Sequence, residues 1–537
     1  MGAPPGREVV AARVISKGPP HGPPRSAENV MNEAIKALIY VLALAVPALY
    51  LSQRISASAV ARTEFVVWRN CWFLVTISAF LFSNFFIFSA AAAVVYVYGR
   101  SSGAAPVALF FALLFAVPII EVPISGMGIV NKLFDLDNAR LLEIVVLLPA
   151  LFAPTLPIHR SRNAFTIPDR LIVAYVLLDT SLQIRSSEIT NVARVGFTEI
   201  LDILVPYFVA TRTITTVADF QKVCMAIVIS ILPLSLIGAL EVVKAWHTYS
   251  NIIDNWGGVA LGGGYILRSG LLRASVTATS PIVFGYICMV AIGSFLAVRK
   301  AIAPQRLQRA ALVILSIGLV ASLSRGPWIG AAIMLFAFAA TARGGASKFS
   351  KVVFFAVLLG VFMQLTPIGE KIINLLPFVG TTDEANVEYR KHLFENTMTV
   401  IERNLWFGSV DYLKTPEMLE LTQGQGIIDI VNVYLKIALD TGIVGLTLFC
   451  GFFAAILIGL RRALKLRARE NGSLNTCLRA AIGILLGILV TIGTASGIEF
   501  ISHVYWAFGG LCVALIRIAY QAPVTTRRVY QENPIIA

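Results

Sequence analysis

SLSRGPWIG, residues 322–330, lies in a run where Arg325 is the only ionisable side chain between Ala310 and Ala342. As one helix this run would extend about 50 Å. That is too long for a hydrocarbon core of ~30 Å, even with a tilt of ~20°. The run therefore divides, and Gly326–Pro327 reads as the break, with Gly supplying turn freedom and Pro suiting the first position of a helix. Arg325 then falls on a tight turn at a membrane boundary. A snorkelling arginine accounts for the charge but not for the compact Ser-Arg-Gly-Pro turn.

The rest of the chain supports a membrane setting. Of its 537 residues, 57% are hydrophobic and 14% charged, with mean hydropathy +0.78, against about 25% charged residues in soluble domains. A soluble fold cannot bury so much apolar surface. The expected fold is therefore all-α, a polytopic integral membrane protein of about 12–14 transmembrane helices. Apolar runs place the spans near 33–52, 70–98, 105–125, 138–154, 168–184, 196–212, 220–243, 276–298, 308–323, 327–342, 350–367, 431–460, 478–497 and 500–518. The net charge of +14 does not indicate nucleic acid, because Lys and Arg cluster in short loops between spans. The six cysteines show neither zinc spacing nor a disulfide framework.

Sidedness follows from loop charge. Segments 159–170, 298–309 and 461–479 are basic and read as cytoplasmic. By alternation the N-terminal tail (1–32, Pro- and Gly-rich, read as disordered) and the C-terminal tail (521–537) also fall inside. Residues 33–245 form a first transmembrane bundle and 246–520 a second region. Segments 244–275, 324–326 and 368–430 face outward, and 368–430 is a large extracytoplasmic loop with ten acids against five bases. Glu121, Asp179 and Glu241, near span ends, read as interface groups. The glycine-rich 257–264 stretch lacks the Lys-Ser/Thr of a phosphate loop and reads as a flexible outer loop. Glu64 is the only acid in 53–69, taken as the first outer loop, so no Asp-Glu pair marks a metal-dependent transferase there.

The outer side gathers the residues that can carry chemistry. Arg268 and Arg273 precede the span near 276, Arg325 sits on the turn with Ser324, and Arg390 and His392 lie in a loop helix over 385–405. Asp429 stands where the loop re-enters the membrane, followed by Asn432 and Tyr434. The planar guanidinium matches phosphate with two parallel hydrogen bonds and stays charged where water is scarce. Arginines at an outer lipid boundary therefore point to a lipid-linked phosphate.

Three stretches carry a family resemblance: SLSRGPWIG, RASVTATSP (273–281) and VNVYLKIALDTGIVGLTLF (431–449), with RKHLFENTMTVIERNLWFGS (390–409) before the last. Over roughly 260–460 the chain resembles the O-antigen ligase and Wzy-type polymerase superfamily of bacterial membrane enzymes. The resemblance implies a glycosyltransferase-C-like fold in the inner (plasma) membrane, making residues 246–520 the ligase/polymerase-like region. It also implies an undecaprenyl-pyrophosphate-linked oligosaccharide as substrate, independence of metal and nucleotide sugar, and no other cofactor. Membrane lipid and other polysaccharide export and chain-length proteins are the partners that follow. The catalytic candidates are Arg325, Arg273, Asp429 and His392; the substrate-binding candidates are Arg268, Arg390, Ser324, Asn432 and Tyr434.

The ligase pattern places His before the Asn, whereas Val431 precedes Asn432 here. This departure favours a polymerase of exopolysaccharide, capsule or O-antigen repeat units over a glycan ligase. Either His392 or a carboxylate such as Asp429 or Glu388 then acts on the acceptor hydroxyl, or the reaction uses no such base. A lipid-linked oligosaccharide flippase or transporter is the third reading. The N-terminal half shows no counterpart of the 324–327 break, which a paired-repeat transporter tends to carry.

Overall fold

In hydrocarbon a backbone amide finds no water, so apolar segments satisfy their hydrogen bonds internally as helices. The computed structural model describes residues 27–126, 132–152, 166–185, 188–257, 267–268, 270–302, 304–342, 384–422, 428–468, 472–497 and 500–522. The expected span 350–367, residues 1–26 and 523–537 of the tails, and most of 257–264 lie outside them.

The helices are α1 (Ala27–Ser56), α2 (Arg62–Leu81), α3 (Phe85–Ser101), α4 (Pro106–Leu114), α5 (Asn138–Leu142), α6 (Leu148–Leu151), α7 (Ile167–Leu182), α8 (Ile189–Glu199), α9 (Val205–Thr213) and α10 (Val217–Lys244). They continue with α11 (Ser250–Asn255), α12 (Pro281–Val298), α13 (Gln305–Ala321), α14 (Arg325–Ala340), α15 (Glu384–Arg403), α16 (Pro416–Leu419), α17 (Val433–Leu466), α18 (Ser473–Ile492) and α19 (Phe500–Gln521). Among the described residues, seven helices are long and apolar enough to cross a membrane, and α3 and α14 are shorter apolar helices. The protein is an all-α polytopic membrane protein. Its described strands form two small antiparallel hairpins, Val122–Ser125 with Lys132–Leu136 (β1, β2) and Leu267–Arg268 with Leu271–Leu272 (β3, β4).

Helix α12 forms the centre, with almost every residue buried. Small residues bring its neighbours close. A Cβ on Gly326 or Gly330 of α14 would meet the Thr494 or Thr491 hydroxyl at 2.1 Å. Such close contact is how membrane helices associate without a hydrophobic drive between them. It fixes the start of α14, and with it Arg325, against the end of α18.

Several expected spans are revised. The run 70–98 is two helices, because Phe82–Asn84 reverse the chain and the Asn84 side chain caps α3 by accepting from the Phe86 and Ile87 amides. The run 105–125 is helical only over α4 before entering β1. The runs 138–154 and 196–212 are each interrupted by a π-helical turn, Glu143–Leu147 and Ile200–Leu204.

The extra reversal changes sidedness. Lys36, near the start of α1, lies 5.6 Å from the Trp246 ring centroid, and Tyr40 meets the same ring edge-on. Trp246 follows α10 at the end that carries Glu241, the end of the Arg273 and Arg325 segments. At the other end of α10, Lys222 pairs with Glu64 at 2.9 Å. The start of α1 is therefore on the arginine side, and Glu64 is on the opposite side. Both placements reverse the topology read from the sequence.

In a background lacking the six native cysteines, Asn32→Cys and Thr422→Cys are expected to react with an impermeant maleimide in intact spheroplasts, while Gln305→Cys does not. Shared labelling of Asn32→Cys and Gln305→Cys, with Thr422→Cys protected, would contradict this arrangement.

Candidate active site

The site begins with a buried acid. Glu241, in the last turn of α10, is wholly shielded from solvent. One carboxylate oxygen accepts from the Thr248 amide and hydroxyl, both at 2.9 Å. The other accepts from the Ser275 and Val276 amides, both at 3.0 Å. His247 Nδ1 stands 3.4 Å from that oxygen and 3.1 Å from the Ser275 hydroxyl. Glu241 is thus a tie between α10 and the segment carrying Arg273, not an interface group.

That segment lies along the turn before α14. The Ala274 amide donates to the Ala321 carbonyl at 3.0 Å, Arg268 donates to the Leu323 carbonyl at 2.5 Å, and Arg273 donates to the Ser324 hydroxyl at 2.8 Å. The reversal itself occurs at Leu323, which holds a left-handed φ of 44°. Gly326 and Pro327 already belong to the first turn of α14. This corrects the expected break, and Gly326 is needed for closeness to Thr494 more than for turn freedom. Val276 (φ 51°) and Thr279 (φ 52°) are also left-handed, a conformation that costs about 1–3 kcal/mol for such residues. Three strained residues therefore flank Arg273 and Arg325.

The loop helix α15 completes the group. Arg390 donates to the Thr494 carbonyl at 3.3 Å, beside Gly326. Burial pushes its guanidinium below the ordinary value, the Asp429 carboxylate opposes this, and the charge of Arg268 adds to the lowering. Asp429 accepts from the Ser496 hydroxyl at 2.6 Å, and its carbonyl accepts from the Tyr389 hydroxyl at 2.9 Å. Arg268, Arg273, Arg325 and Arg390 thus come from three chain segments to one place, with Asp429 beside them. One buried and three half-buried cations crowded together favour an anion between them.

The remaining candidates are placed differently. His392 is exposed on another face of α15, 3.0 Å from Glu388, and lines a surface cavity with Asn396 and Glu420. It is not brought to the arginines. Asn432 caps α17, its side chain accepting from the Tyr434 and Leu435 amides. The Tyr434 hydroxyl donates to the Leu489 carbonyl at 2.8 Å. Ser324 accepts from Arg273 and donates to the Ser322 carbonyl at 2.9 Å. These three make positioning bonds within the protein.

The motif around Gly442 also has a structural cause. Gly442, at φ 68°, interrupts α17, and a Cβ there would lie 2.3 Å from the Trp406 carbonyl. The Ile443 amide donates to the Leu405 carbonyl, the Ser409 amide to the Leu439 carbonyl, and Arg185 to the carbonyls of Phe407 and Gly408. The loop that follows α15 is thereby fastened to the spanning helix.

A second charged cluster escaped the sequence reading. Arg140 grips Asp202 through Nε and Nη2 at 3.0 and 2.9 Å and reaches Glu121 at 3.2 Å, while His503 meets buried Glu143 at 2.8 Å. Glu143, Asp202 and His503 have the ligand types and proximity of a metal site. Asp202 is held by Arg140 and His503 by one Glu143 oxygen, as expected of ion pairs inside a membrane, while Glu143 Oε2 is buried without a hydrogen-bond partner. Glu143 and Asp202 both sit on the π-helical turns, rare elements that often mark functional positions.

Glu241→Ala would leave four donors without their acceptor, at a cost of at least about 3 kcal/mol. The purified variant should melt well below wild type; an unchanged midpoint would remove Glu241 as the tie.

Against known families, residues 310–450 match the Wzy_C model, described as O-Antigen ligase, and no curated protein matches the chain. The matched residues include Ser324, Arg325, Arg390, His392, Asp429, Asn432 and Tyr434; Arg268 and Arg273 lie just before them. Over this segment the chain is similar to the O-antigen ligase family.

Proposed function

We propose that the protein is a glycosyltransferase of the bacterial inner membrane that joins undecaprenyl-pyrophosphate-linked oligosaccharide repeat units at the outer leaflet. The observation that carries this reading is the convergence of Arg268, Arg273, Arg325 and Arg390 at one end of the helical bundle. That end faces outward in this proposal, so the start of α1 is outside and the C-terminus is cytoplasmic.

In the reaction an acceptor hydroxyl oxygen attacks the anomeric carbon as the bond to the pyrophosphate oxygen breaks. The electron pair of that bond leaves with the pyrophosphate, where Arg273 and Arg325 stabilise the growing negative charge. Pyrophosphate leaves readily, so the demanding partner is the acceptor, whose proton passes to a base. Asp429 stands beside Arg390, whereas His392 faces away, and Asp429 takes that role. The residues assigned here use no metal or cofactor step.

Ligation of a finished glycan to a lipid or protein acceptor is the second reading, favoured by the description of the matching family model. Val431, where ligases carry histidine, favours the polymerase. Deleting the gene separates the two: a missing polymerase leaves single lipid-linked repeat units, and a missing ligase leaves long lipid-linked chains.

Arg325→Lys should lose most glycan output at normal protein level, because an ammonium cannot reproduce two parallel hydrogen bonds. Asp429→Asn should abolish polymer while His392→Ala retains it. Wild-type output from Arg325→Lys would return that residue to a lipid-interface role, and the opposite ranking of the other two would move the base to His392.

A further inference from the structure

The opposite ends of α12 and α18 carry a second basic constellation, about 30 Å from the arginine end along helices of 18 and 20 residues. There Lys300, Thr341, Gly472, Asn475, Thr476 and Arg479 line a cavity of about 190 Å³, several times the ~30 Å³ share of one water molecule. The described lining contains no acid.

Its electrostatics are one-sided. Arg479 stacks 4.4 Å from the Phe338 ring centroid, and Arg299 approaches the same ring at 5.7 Å. Arg479 donates through Nη2 to the Phe338 carbonyl at 2.7 Å, while its buried Nε has no hydrogen-bond partner. The twenty-residue helix α18 begins at the cavity with Gly472 at its N-cap, no side-chain cap and no acid in its first turn, so no residue of that turn offsets its partial positive charge. Lys300 and Arg479 share one cavity with this helix N-terminus.

We propose that this cavity binds a phosphoryl oxyanion. The ligand is either the phosphodiester of an anionic lipid in the facing leaflet or a soluble phosphate group. Lys300 and Arg479 supply charge, and the first turn of α18 supplies backbone amides. The site lies at the far end of the bundle from the arginine cluster and is independent of the reading of that cluster.

The test uses the full chain in nanodiscs at constant ionic strength. Thermal midpoints are compared in phosphatidylcholine alone, with inorganic phosphate replacing chloride, and with phosphatidylglycerol added. Wild type should rise by roughly 2 °C; a rise with phosphate identifies a soluble ligand, and a rise only with phosphatidylglycerol identifies the lipid headgroup. Lys300→Glu and the milder Lys300→Gln should lose the response. Arg306→Glu, in the same basic segment but outside the cavity lining, should keep it. No rise in wild type, or equal responses in the Lys300 and Arg306 variants, would overturn the site.

Discussion

The carboxylate of Glu241 is the contact on which the arginine end depends. A charged group shielded from water inside a membrane protein is costly unless donors surround it. Glu241 has four of them, two from the loop after α10 and two from the Ser275–Val276 backbone. By satisfying itself it draws the Arg273 segment against α10. That segment then lies along the Leu323–Ser324 reversal, and Arg273 and Arg268 bond to the turn carrying Arg325. The same tie holds Val276 in a left-handed conformation it would not otherwise adopt.

A second constraint acts from the other side. Gly326 and Gly330 let α14 approach the Thr491–Thr494 end of α18, and that end receives Arg390 and Asp429 through Thr494 and Ser496. The loop between α15 and α17 is fastened again at Gly442, where the backbone of residues 405–409 enters the interruption in α17. The loop thus brings one arginine and one carboxylate to a place already built by the transmembrane helices. Leu405, Trp406 and Phe407 remain exposed there, consistent with aromatic residues at a lipid boundary.

Some of this was legible in the sequence. A lone arginine in a long apolar run announces a chain reversal, and the membrane fold follows from hydropathy alone. The position of that reversal was not legible, since Leu323 carries no turn signal and Gly-Pro next to it does. The reversal at Phe82–Asn84 was hidden because one Ser-Asn pair between aromatic residues barely lowers the hydropathy of the 70–98 run, and missing it inverted the placement of α1. Glu241 looks the same in sequence whether it faces water or four donors. The Glu143–His503–Asp202–Arg140 cluster joins Arg140 to a residue 62 positions on and Glu143 to one 360 positions on, so no local pattern marks it. His392 lies apart from the arginines for a simpler reason: two positions from Arg390 on a helix is another face.

The central claim is that the arginines at one end of the bundle hold the pyrophosphate of a lipid-linked glycan. Cryo-electron microscopy of the protein in nanodiscs with undecaprenyl pyrophosphate tests it most directly. Pyrophosphate density is expected within hydrogen-bonding distance of Arg273 and Arg325, with Arg390 on the loop side. Pyrophosphate density that leaves Arg273 and Arg325 untouched would contradict it.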